Sequence, residues 1–246
     1  MLENGAIKLL QGNEVASGSE LASLLLDHYK ETNEVPSGTS LAPLLNIFAS
    51  YKPAENHPTK AAFISQATNW SKCAANNNQG SPELHSAFAH HYWLRKDYDS
   101  AQKHYLRSDN MEEFAKVCVE WRSEGFPGEE DLFFTRPTLM LLALGNLKMA
   151  NIFFKSYTTH LTPAQIDVPL HNFCRFLLLT LERDAHPLFN DLRKKYAPSL
   201  ARDPSFELFL DQIASIFFGV KKANQGGLGG LMGSLFKSLM SPDQPM

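Results

Sequence analysis

Cysteine is scarce in this chain: Cys73, Cys118 and Cys174 stand far apart, with no CxxC spacing. An odd, sparse set excludes a disulfide framework and fits a reducing compartment. An excess of one charge is lacking as well. With 23 Lys and Arg against 26 Asp and Glu, the net charge is -3, so nothing marks the chain as a nucleic-acid binder. Long apolar runs are missing. The densest, residues 139–144 and 176–181, fall far short of the ~20 residues a membrane span needs. Residues 1–11 carry no apolar stretch behind a basic start, so no signal peptide is expected. These absences predict a cytosolic protein with no direct membrane insertion. Sustained alternation of apolar and polar residues is also absent, which removes a β architecture.

What is present is a period near 3.6. Leu21, Leu24, Leu25 and His28 share one helical stripe, and Leu41, Leu44, Leu45 and Phe48 share the next. Phe63, Ala67 and Trp70 follow Pro58, which suits a first helical turn. After an Asn-rich loop at 76–80, Ser81-Pro82-Glu83 reads as an N-cap, a first-turn proline and a first-turn acid ahead of Leu84, Ala87, Phe88 and His91. Asp109 to Glu112 has capping-box spacing before Phe114, Val117, Cys118 and Trp121, with Gly125 closing that helix. Asp203-Pro204 opens a helix carrying Phe206, Leu210, Ile213 and Phe217, closed by Gly219. About eleven helices on short links predict an all-α fold, an α-solenoid of stacked antiparallel helix pairs over residues 1–220. A weak repeat supports it: Tyr98, Ala101 and Tyr105 recur as Leu147, Ala150 and Phe154. The small residue lets two helices approach, and the aromatic fills the groove to the next pair. Residues 221–246 form a Gly-rich flexible tail, with Leu228, Leu231, Leu235 and Leu239 at helical spacing.

Catalytic constellations do not emerge. The nine histidines include no HExxH and no carboxylate cluster at ligand spacing. His90 and His91 point about 100° apart on a helix, and neither His85 nor His104 has a second ligand type three or four residues away. Glu129, Glu130 and Asp131 fall in a predicted first turn, where the helix dipole accounts for them. Gly226, Gly227, Gly229 and Gly230 lack the Lys-Ser/Thr of a phosphate loop. Arg193, Lys194 and Lys195 read as a solvated helix face, with Asp184 and Asp191 nearby. No catalytic residue, metal site or cofactor is expected.

Aromatic residues in the last third exceed what one helix face can bury. Phe173 and Leu177 share a stripe, Phe176 lies about 60° off it, and Phe209 and Phe217 are displaced from Phe206 and Ile213. With Leu161, Ile166 and Val168 ahead of them, Phe173, Phe176, Leu177, Phe206, Phe209 and Phe217 form the candidate partner-binding set. Helix is expected to dominate, with at most one short β-hairpin, at residues 161–169. Pro163 and Pro169 oppose helix there, and Ile166 and Val168 alternate around Asp167.

The stretch Tyr196-Ala-Pro-Ser-Leu-Ala-Arg-Asp-Pro-Ser-Phe, running on to Asp211-Gln-Ile-Ala-Ser-Ile-Phe-Phe-Gly-Val, resembles the C-terminal region of the Golgi to ER traffic protein 4 family. So does the tail Gly226-Gly-Leu-Gly-Gly-Leu-Met-Gly-Ser-Leu-Phe-Lys-Ser-Leu-Met. Ala62-Phe-Ile-Ser-Gln-Ala-Thr-Asn-Trp-Ser and the Leu84-His85 helix with its Asp97-Tyr98 turn match in pattern. The resemblance implies a cytosolic α-solenoid without enzymatic activity, acting in the targeting of tail-anchored proteins to the ER membrane. It implies two partners: a targeting ATPase, and a ubiquitin-like-domain adaptor held by the C-terminal half, with the loop at 161–169 in its contact surface. The family's N-terminal helices supply much of the ATPase face. Met1-Leu-Glu-Asn-Gly-Ala resembles the second half of an early helix pair, which implies part of that face upstream of Met1. The alternative is a scaffold subunit of a proteasome-lid or translation-factor assembly. Such subunits end in a winged helix with a β-hairpin, and no strand pattern follows Asp203.

Overall fold

The computed structural model describes residues 1–52, 58–74 and 78–220. The expected tail at 221–246, with its leucine stripe, lies outside them, as does part of the Asn-rich loop. The described residues contain fourteen helices and no strand: α1 (Leu2–Gln11), α2 (Val15–Glu31), α3 (Gly38–Ser50), α4 (Pro58–Ala74), α5 (Pro82–Leu94), α6 (Tyr98–Tyr105), α7 (Met111–Arg122), α8 (Leu132–Ala143), α9 (Leu147–Thr158), α10 (Pro163–Ile166), α11 (Pro169–Glu182), α12 (His186–Lys195), α13 (Ala197–Leu200) and α14 (Ser205–Phe218). The all-α expectation holds.

The one hairpin allowed for, at 161–169, does not form. Both prolines that argued for it sit at the first position of a helix, α10 and α11, where a missing N–H leaves no bond unmade. The Thr162 N–H donates to Gln165 Oε1 at 2.9 Å, closing the start of α10. The two N-caps, Thr162 at φ -74 and ψ 160 and Val168 at φ -112 and ψ 149, are extended, but they stand singly ahead of α10 and α11.

The chain forms two compact units, Met1–Asp109 and the residues from Asn110 onward. In the first, α1 pairs with α2 and α5 with α6. Helices α1, α3 and α5 stack in one row while α4 stacks on α2. This row-on-row packing is the solenoid arrangement. Its core runs from Ala6 and Leu10 through Ala22, Leu44 and Ile47 to Phe63, Trp70 and Phe88. The stripe on α2 lies differently from the expected one: Leu24 is exposed, and Gly18, Ser19, Ala22, Leu25 and Leu26 face inward. Gly18 explains the shift. A Cβ there would stand 2.7 Å from Leu10 Cγ, so α1 and α2 touch at a residue with no side chain. Gly18→Ala is expected to destabilise the protein by roughly 1–3 kcal/mol, read as a lower melting temperature. A neutral effect would show that α1 can move away.

In the second unit α8 is the internal helix, buried at ten of its twelve positions and packed by α7, α9, α11 and α14. A helix apolar on all sides requires such a jacket. Arg193 on α12 reaches Glu207 and Asp211 of α14, the latter at 2.8 Å, tying the two helices together. Lys194 and Lys195 beside it face solvent.

The weak sequence repeat is a recurring turn. At the end of α5, Lys96 takes φ 59 and the Asp97 N–H donates to the Tyr92 carbonyl at 3.0 Å. At the end of α8, Gly145 takes φ 79 and the Asn146 N–H donates to Leu141 at 3.0 Å. Each is a Schellman closure whose last residue also caps the next helix: Asp97 Oδ1 accepts from the Ser100 N–H, and Asn146 Oδ1 from the Met149 N–H. The same closure occurs at Asn13-Glu14, Asn33-Glu34 and Asp184-Ala185. Ala101 and Ala150, which follow in the two original copies, are fully buried.

Candidate functional site

Helix α11 divides cleanly. Leu170, Phe173, Cys174, Leu177, Leu178 and Leu181 point inward. On the far side Asn172, Phe176, Leu179 and Arg183 follow at spacings of four, three and four, which is one line along a helix. Phe176 is 37% exposed and Leu179 39%. The Arg175 guanidinium lies 4.8 Å from the Phe176 ring centre, keeping the ring under a cation rather than a hydrocarbon cover. Past the α11–α12 turn, Leu188 is 51% exposed. Ahead of α11, Leu161, Ile166 and Val168 remain partly exposed on the segment that carries α10.

The structure thus separates the nine candidates. Leu161, Ile166, Val168, Phe176 and Phe217 keep accessible surface. Phe173, Leu177, Phe206 and Phe209 are fully buried and belong to the core. The Phe173 ring packs 5.5 Å from that of Tyr196. Sequence reasoning missed Leu179 and Leu188. Leu179 was detectable, since it lies opposite the centre of the Leu170–Phe173–Leu177–Leu181 stripe. Leu188 carried no periodic signal, being in the first turn of a short helix.

Nucleophilic chemistry has no support on this face. Burial pushes the Cys174 thiol up to about 12, so it stays protonated at neutral pH. Cys118 is likewise raised by burial. His171, on the buried side of α11, packs against Phe134 and Phe154 and is held below the ordinary histidine range by burial and by Arg175. Among the described residues no three His, Cys, Asp or Glu gather where they could hold a metal ion. No described helix is long and apolar enough to cross a membrane. The two histidines that looked isolated in sequence meet in the first unit: His85 Nδ1 and His104 Nδ1 are 2.8 Å apart. Nε2 of His85 donates to the Gln79 carbonyl, and with His85 neutral its Nδ1 accepts from His104 Nδ1–H, while burial holds His104 well below the ordinary histidine range.

A family model described as Golgi to ER traffic protein 4 matches residues 1–236. The Golgi to ER traffic protein 4 homolog of Dictyostelium discoideum is 39% identical over 235 residues, covering 96% of this chain and 75% of that protein. The Homo sapiens homolog is 32% identical over 250 residues, covering 99% and 75%. The crystal structure of C. therm. Get4 superposes with a TM-score of 0.83 at 27% identity, over 96% of this chain and 81% of that one.

Proposed function

The chain belongs to the Golgi to ER traffic protein 4 family, and from that premise we propose that it is a non-catalytic cytosolic scaffold in the targeting of tail-anchored proteins to the ER membrane. It holds a ubiquitin-like-domain adaptor on the outer face of α11 and bridges it to a targeting ATPase. Family membership supports the pathway. The uncovered Phe176–Leu179 line supports the adaptor's place, because apolar side chains aligned on the wet side of a helix gain from being covered. Burying one such side chain fully is worth roughly 1.5–3 kcal/mol. Leu161, Ile166 and Val168 precede that line in the chain and also keep accessible surface, and Arg175 and Arg183 on α11 and its C-cap are exposed beside it.

The test is binding of the purified adaptor to Phe176→Asp/Leu179→Asp. The variant is expected to bind at least tenfold more weakly, about 1.4 kcal/mol, while melting like the parent. Unchanged affinity in a protein that melts normally would remove α11 as the adaptor site.

A further inference from the structure

Helix α14 is the last of the described helices, and its C-terminal half keeps an apolar outer face. No residue from Gln212 to Val220 carries a charge. Ile216 is 44% exposed and Val220 38%, and Phe217 between them is partly exposed. The two acids of α14, Glu207 and Asp211, are both taken by Arg193 of α12. Phe218 packs on His186 and Phe189 of that same helix, with ring centres 5.0 and 5.3 Å apart. The α8–α9 turn reaches only the edge of Ile216: a Cβ on Gly145 would stand 3.5 Å from its Cγ2. The end of a stacked helical array needs a polar outer face or a capping element. Among the described residues α14 has neither.

The chain that follows carries the complement. Leu228, Leu231, Met232, Leu235, Phe236 and Leu239 fall at offsets of 0, 3, 4, 7, 8 and 11, which is one apolar stripe of a helix. Gly229, Gly230 and Gly233 lie off the stripe and give such a helix little stability of its own, so it needs an apolar face to form against. Lys237 is the one charged residue from Gly226 to Ser241. A helix that lies on a membrane surface carries a strongly charged polar face, and this one would not. Leu228 is eight residues past Val220, a span of at most about 29 Å when extended. A tether that short holds the stripe beside α14 at a local concentration on the order of millimolar, which any outside occupant would have to outcompete. We propose that residues 228–239 dock as an amphipathic helix on the Ile216–Val220 face and cap the second unit. This does not rest on the α11 reading, since the occupant is the chain's own C-terminal segment.

The test is amide hydrogen exchange, read by mass spectrometry on the full chain, with the free synthetic peptide 221–246 as the unprotected reference. Amides of residues 231–239 are expected to exchange at least tenfold more slowly in the protein than in the peptide. Ile216→Asp, at an exposed position, should bring them back to the peptide's rates while α8 keeps the parent's protection. Ile216→Leu should leave them protected. From the other side, Leu235→Asp should speed exchange in the last turn of α14 without changing α8. Exchange of residues 231–239 at the free-peptide rate in the parent overturns the proposal. So does protection that survives Ile216→Asp. Protection that appears only after anionic vesicles or the adaptor are added also overturns it, because the stripe would then belong to a membrane surface or a partner.

Discussion

Phe173→Ala combined with Phe209→Ala is expected to abolish the folding of the second unit at room temperature. Both rings are at 0% exposure, on α11 and α14. Truncating a buried phenylalanine costs roughly 3–5 kcal/mol through lost transfer and the cavity left behind. Two such losses, even if not fully additive, are comparable with the whole stability of a domain, about 5–15 kcal/mol. The measurement is far-ultraviolet circular dichroism with thermal melting. Loss of part of the helical signal, or an early transition well below the parent's, is expected. The exposed neighbour supplies the contrast. Phe176→Ala should shift stability by no more than about 0.5 kcal/mol and act on partner binding instead. If the double variant melts like the parent and Phe176→Ala does not, the assignment of inside and outside on α11 is reversed.

Acidification is expected to destabilise the first unit before ordinary carboxylate titration sets in. His91 is held down to about 4 by burial, with Lys60 and Arg95 adding positive charge nearby. His104 lies well below the usual value, first through burial and then through His85, Arg107 and the lysines 72 and 103. Histidine in the unfolded chain titrates near ~6.5. Between that value and their depressed folded values, the unfolded chain binds more protons, so stability is present above pH ~6.5 and is lost as pH falls. Each such proton contributes about 1.4 kcal/mol per pH unit, or about 2.7 for the two together. Melting curves from pH 7 to 4.5 should therefore fall steeply below pH 6. His91→Phe should flatten that fall by about half. A melting temperature constant from pH 7 to 5 would show that these rings gain protons without unfolding. His85 makes the cost of such protonation concrete: a charged His104 would carry two N–H donors, and His85 Nδ1 can accept only one of them.

Much of the fold was legible because helix signals are local. Ser81 and Pro82 open α5 with the Ser81 oxygen accepting from the Leu84 N–H, as the sequence indicates. Gly219 ends α14 in the left-handed region at φ 65. Other boundaries moved by a residue where two caps compete. Asn110, not Asp109, caps α7, and the helix ends at Arg122 before Gly125. The Schellman turns at Asn13, Asn33 and Asp184 escaped notice because a left-handed position filled by a residue other than glycine has no strong sequence mark.

The sequence by itself determined that the chain is helical, where its main helices run, and which family it joins. Those properties follow from the 3.6-residue period, from capping chemistry within four residues, and from ordered motifs along one strand of text. What it could not decide was the side of each helix stripe on which the core lies. Phe176 and Phe209 are both about 60° from their nearest stripe. One faces solvent and the other is buried, because the angular centre of the buried arc is set by how many neighbours a helix has. The prolines at 163 and 169 show the same limit, since a first-turn position and a helix-breaking one contain the same residue. Only the tertiary structure, by placing α14 on α8 and His85 on His104 across nineteen positions, decided which apolar side chains remained for a partner and which buried groups could take no proton.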